Sequence, residues 1–119
     1  MAFKENLVID QGSDGAIELH LVEKDGSKKD LNGYSAVAAI KESHQSSDSD
    51  AIPFTTVIAA PATDGVLTLL LTNQQTSSLN PRLDYVYDVL LSYQDSAANT
   101  IIERILEGNI EVTPAVTTV

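Results

Sequence analysis

Between residues 85 and 93 one side-chain parity is apolar without a break: Tyr85, Tyr87, Val89, Leu91 and Tyr93. The positions between them are Val86, Asp88, Leu90 and Ser92. A repeat of two is the period of a pleated strand, whose successive side chains point to opposite faces. The chain can therefore fold around at least one strand with a committed inner face.

Other segments repeat the pattern. Residues 16–22 alternate Ile17, Leu19 and Leu21 with Glu18 and His20. Residues 66–71 place Leu67, Leu69 and Leu71 on one side, and residues 7–9 form a short first strand. Residues 52–60 read as one strand, with Ile52, Phe54 and Ile58 in phase and Pro53 suiting a strand start or an edge. Residues 35–42 are alanine-rich, with Val37 and Ile40 on opposite parities, so the buried face is left open. Residues 101–113 read as one long strand with Ile102, Leu106, Ile110 and Val112 in phase. Gly108 shares that parity, which predicts something bulky against its missing side chain. Turn signals separate these runs: Asp25-Gly26, Asn32-Gly33, Asp64-Gly65 and a polar, acidic stretch over 43–50.

One segment breaks the pattern. Thr72 with Gln75 three residues later fits a capping box, which predicts a short helix near 73–79 ended by Asn80-Pro81. About seven short strands with one helical turn, in a chain with no repeat and no linker, predict a single β-sandwich domain over 1–119. Residues 114–119 follow as a possibly extended tail. Few aromatics (four Tyr, two Phe, no Trp) imply an aliphatic core.

Charge and composition narrow the chemistry. Seventeen acids against seven bases give a net charge of −10. That argues against a nucleic-acid backbone or an anionic membrane as partner, since both need a basic surface. Without cysteine there is no disulfide, thiolate zinc site or cysteine nucleophile. No run approaches a membrane span, and the first residues carry no signal-peptide pattern, so a cytosolic site of synthesis and assembly is expected.

Each candidate site has a plainer reading. His20 and His44 lack a third ligand, which favours solvated histidines over a metal. Ser43, His44 and Asp48 name the members of a triad, but their loop offers no rigid frame or oxyanion hole. Asp48 and Asp50, with Asp10, Asp14, Glu18 or Asp30, supply oxygens for a weak Ca²⁺ site without the spacing of a calcium loop. No phosphate-binding glycine loop is present, and Lys28-Lys29 is flanked by acids. The tyrosines at 85, 87 and 93 belong in a core or an interface. No catalytic residue, cofactor or metal is assigned.

The C-terminal residues Pro114, Ala115, Val116, Thr117, Thr118 and Val119 have two readings. They form either a frayed end or an uncharged strand that pairs with a neighbour's sheet edge.

Taken together, four segments resemble a group of small tailed-bacteriophage virion proteins, many of them from cyanophages. They are Gln11-Gly12 followed by the stretch from Asp30 to Ser35; residues 69–79 (LLLTNQQTSSL); Tyr85-Val86-Tyr87-Asp88-Val89; and residues 104–117 (RILEGNIEVTPAVT). The group is similar to the immunoglobulin-like N-terminal domain of phage baseplate upper proteins. The resemblance spans nearly the whole chain, apart from the acidic loop at 43–50.

It implies an immunoglobulin-like antiparallel β-sandwich and a non-catalytic structural role in a virion. The expected place is the tail, baseplate or neck, as an assembly adaptor or decoration subunit; head decoration is the alternative. The expected partners are other virion proteins, met through a basic patch on the partner, and copies of this chain in a symmetric homo-oligomer. From a different class, a carbohydrate-binding module is a further alternative, although Trp is absent.

Overall fold

The structure, a computed structural model, describes residues 3–43, 45 and 50–117. Nine strands lie among them: β1 (Phe3–Lys4), β2 (Leu7–Asp10), β3 (Gly15–His20), β4 (Ser35–Lys41), β5 (Ile52–Pro53), β6 (Thr55–Ile58), β7 (Val66–Leu71), β8 (Tyr85–Gln94) and β9 (Thr100–Thr113). One short helix, α1 (Asn73–Ser77), joins β7 to β8. The larger sheet runs β1-β9-β8-β4-β5, with β2 also on β9; the smaller runs β3-β7-β6. Their inner faces form one aliphatic core, including Leu67, Leu69, Val89, Leu91, Ile40 and Ile110, all at most 1% exposed.

The alternation that marked the strands also sets their faces. Leu67, Leu69 and Leu71 on β7 and Tyr85, Tyr87, Val89 and Leu91 on β8 all point inward. On β4 the open question is answered: Ala38 and Ile40 are buried, and Val37 faces outward at 61% exposure. β4 is an inner strand of its sheet, paired with β8 on one side and β5 on the other.

Three readings change. The run 52–60 is two strands rather than one. β5 pairs with β4 in the large sheet, and β6 pairs with β7 in the small one. Phe54 is buried at the crossing, and Thr56 donates its hydroxyl to the Ala36 carbonyl at 2.9 Å. The in-phase apolar residues concealed the switch because each sheet turns the same parity toward the shared core. Second, β9 carries a bulge: Val89 pairs with Leu106 but Leu90 with Arg104. The extra residue, Ile105, packs on the core beside Leu106, and the phase before it inverts. Ile102 is therefore not in phase with Leu106 but faces solvent, 63% exposed.

The third change is at the beginning of the chain. β1 and β2 form one interrupted edge, both parallel to β9, so this pairing departs from the otherwise antiparallel pattern. The interruption lies over Gly108. A Cβ there would overlap the carbonyl of Glu5, whose N–H donates to Glu107 O at 2.9 Å. The Tyr87 hydroxyl donates to the same Glu5 carbonyl at 2.6 Å. The space at Gly108 is thus taken by backbone, with the Tyr87 ring beside it.

Burial, with a lesser contribution from the Glu5 carboxylate, pushes the Tyr87 phenol up to about 12 from an ordinary 10.0. Between those values the unfolded chain has lost this proton and the folded chain holds it, so stability falls as pH rises through the window. Tyr87→Phe is expected to lower stability at neutral pH by about 1–2 kcal/mol, through the unpartnered carbonyl. The same change should flatten the alkaline loss. Urea unfolding at stepped pH checks both, and a variant with the wild-type alkaline slope contradicts the assignment.

Candidate functional site

Gln11-Gly12, the end of residues 69–79 and the end of residues 104–117 meet at one end of the sandwich, around α1 and the exit of β9, whereas Asp30 to Ser35 lies beside Ala62 and Tyr93. Helix α1 forms because Thr72 and Gln75 close the expected capping box. Thr72 Oγ1 accepts from Gln75 N at 3.2 Å, and Gln75 Oε1 accepts from Thr72 N at 2.9 Å. Five residues cannot hold a helix alone, so neighbours pin it. Asp14 Oδ1 accepts from Asn73 N at 2.6 Å, and Gln75 Nε2 donates to the Pro53 carbonyl at 2.8 Å.

Thr76 is fully buried and connects this helix to the turn after β2. Its hydroxyl accepts from Gly12 N at 3.1 Å and lies 2.8 Å from the Ser13 carbonyl, to which it donates. Gly12 supplies the left-handed backbone that the turn requires, with φ of 84°. Next to it, Gln11 joins residues 69–79 to both ends of the β9 exit. Its N–H donates to Thr113 O at 2.9 Å, its Nε2 to Leu79 O at 3.0 Å, and its Oε1 accepts from Ala115 N at 3.1 Å. Thr113 Oγ1 also donates to Asp10 Oδ1 at 2.6 Å.

This junction fixes where the C-terminal segment leaves the domain. Pro114, Ala115, Val116 and Thr117 are all exposed, Val116 completely. Thr118 and Val119 lie outside the described residues. The sequence placed Gln11-Gly12 in a turn but gave no sign that the glutamine holds the tail. That role depends on β2 and β9 running side by side in parallel, a contact between residues about a hundred positions apart.

The other candidates are dispersed. His20 sits on the outer side of β3 with Nε2 2.7 Å from Glu18 Oε1, both exposed. His44 and Asp48 lie outside the described residues, so the Ser43, His44 and Asp48 grouping is not described. Among the described residues no three His, Asp or Glu side chains gather as a metal site. Asp10 and Asp14 hold the junction, and Asp30 Oδ1 accepts from Asn32 N at 2.9 Å in a turn. Asp50 is exposed.

Tyr85 and Tyr87 are in the core, while Tyr93 stacks on Tyr34 with ring centroids 4.9 Å apart. Lys29 lies over the Tyr34 ring, 5.2 Å from its centre. Partial burial pulls its ammonium down, but Tyr34, Glu23 and Glu103 outweigh that and leave it raised. Lys28 reaches Asp64 at 3.7 Å. A cavity of about 220 Å³ opens between β2 and β3 over Ile9, Ile17 and Leu69, with Asp10 and Asp14 at its rim.

No protein-family model matches the chain, and no curated protein matches it. Among solved structures, that of murine CRIg superposes over 92% of both chains with a TM-score of 0.52 and 13% sequence identity. The fold is immunoglobulin-like.

That frame explains one tyrosine. Immunoglobulin-like domains carry a corner where a tyrosine hydroxyl near the start of strand F bonds back to the backbone. Tyr85 does this, its hydroxyl accepting from Asn80 N at 2.7 Å. Two residues on, Tyr87 is buried on the same face. Its ring meets Phe54 edge-on, with centroids 6.5 Å apart. In a chain without cysteine, these rings and the aliphatic side chains fill the centre.

Proposed function

We propose that this chain is a non-catalytic structural subunit of a tailed-phage virion, an assembly adaptor or decoration protein at the tail, baseplate or neck. The observation that carries the reading is the convergence of segments. Gln11-Gly12, residues 69–79 and residues 104–117, which hold most of the resemblance to small virion proteins, meet at the junction from which the tail departs.

The mechanism is repeated docking through backbone and loops rather than chemistry at a pocket. Residues 114–119 are uncharged and rich in β-formers, and Gln11 fixes their point of departure. Such a segment adds a strand to a neighbour's sheet edge, with main-chain hydrogen bonds giving affinity. The charge of −10 keeps free subunits soluble and favours a partner with a basic patch.

Removing residues 114–119 is expected to leave the melting temperature near that of the full chain and to abolish incorporation into particles. Mass spectrometry of purified particles reads the incorporation, and wild-type copy number in the truncated form contradicts the mechanism. Binding to the virion partner should weaken as salt rises, because exposed charges are screened. An affinity equal at low and high salt contradicts the electrostatic part.

A further inference from the structure

We propose that the outer face of the larger sheet is a contact between two copies of this chain, centred on Val37, Leu90 and Ile102. The inference does not depend on the virion reading. Val37 pairs with Leu90 across β4 and β8, and Ile102 pairs with Ser92, one step along the same face. Diagonal neighbours on a sheet face are close enough for long side chains to touch, so the three form one patch. Val37 is 61% and Ile102 63% exposed.

Two features argue that this face is covered. A solvated sheet face alternates to polar residues, whereas a strand covered on both sides is apolar on both parities. The outward row of β8 is mixed, with Val86 and Leu90 among Asp88 and Ser92, and that of β4 sets Val37 and Ala39 between Ser35 and Lys41, so the apolar residues gather at mid-face. The β9 bulge then turns Ile102 out to join them, at a position that an unbroken strand would have buried with Leu106.

Charge decides the occupant. Copies carrying −10 each repel unless the contact surface is nearly neutral. On this face Lys4, Lys41 and Arg104 stand against Asp10, Asp88, Glu107 and Glu111, a balance of −1 out of the chain's −10. Arg104 already bridges Asp88 at 3.2 Å and Glu107 at 3.7 Å. Most remaining acids lie in the loops at the two ends, so end-to-end contacts are repelled and face-to-face contacts are not. Four strands at about 4.8 Å spacing, over some eight residues each, offer on the order of 500 Å² per copy. Two such faces reach the lower end of specific interfaces, which fits a reversible dimer.

Sedimentation velocity of the full chain, from micromolar to millimolar concentration, tests this. The expected result is a concentration-dependent dimer. Val37→Glu and, separately, Ile102→Glu should weaken it at least about tenfold with the melting temperature unchanged. Should either glutamate variant fail to fold, Ile102→Ser carries the same test. A wild-type chain monomeric at every concentration overturns the proposal. So does a dimer that survives these substitutions, or one lost only when residues 114–119 are removed.

Discussion

Gly108→Ala is expected to lower stability by about 3 kcal/mol, more than the exchange of one hydrogen for a methyl group suggests. The new Cβ would overlap the Glu5 carbonyl, and backbone cannot step aside as a flexible side chain can. Relief requires the edge formed by β1 and β2 to lift from β9. Lifting breaks the bonds from Glu5 N to Glu107 and from the Tyr87 hydroxyl to Glu5. For a domain of this size the melting temperature should fall by roughly 10 °C. Calorimetry checks it. A change of only a degree or two would mean that the first residues do not lie over Gly108 in solution.

Thr76→Val should produce a loss of about 1–2 kcal/mol with almost no change in shape. The hydroxyl is fully buried, accepts from Gly12 N and donates to the Ser13 carbonyl. Valine removes the one hydroxyl that joins the Gly12 amide and the Ser13 carbonyl to the helix, and only in part can water replace it at these outer residues. The turn at Gly12 is adjacent to Gln11, so the effect should reach the tail. Hydrogen exchange at the Ala115 amide, which donates to Gln11 Oε1, is expected to accelerate in the variant. Unchanged stability together with unchanged exchange at Ala115 would contradict the role given to this junction.

The sequence exposed the fold where one residue and its neighbours carry the signal. The leucine row of β7 and the tyrosine and aliphatic row of β8 each declare an inner face. The capping box of Thr72 and Gln75 is a contact across three positions, and it forms as read. What was hidden depended on partners distant in the chain. The bulge at Ile105 is set by the register of β9 against β8, so Ile102 kept an inward phase on paper and faces outward in the fold. The split of 52–60 depends on which sheet each half joins. Gly108 did announce an occupant, but a glycine cannot say whether a side chain or a backbone carbonyl will take the space.

The candidate site follows the same division. The exposure of Pro114, Ala115, Val116 and Thr117 fits an uncharged segment beyond a proline. Gln11 carried no local mark, because its three partners come from Thr113, Leu79 and Ala115. The two exposed residues with most to say about association, Val37 and Ile102, lie on strands whose phase was open in one case and inverted in the other.

The most direct test is an electron cryo-microscopy reconstruction of intact particles from cells expressing the gene, with every copy of this chain located and counted. The account predicts several symmetry-related copies at the tail, baseplate or neck, each with residues 114–119 laid against a neighbouring subunit's sheet edge. Particles that assemble fully and contain no copy of the chain would contradict it.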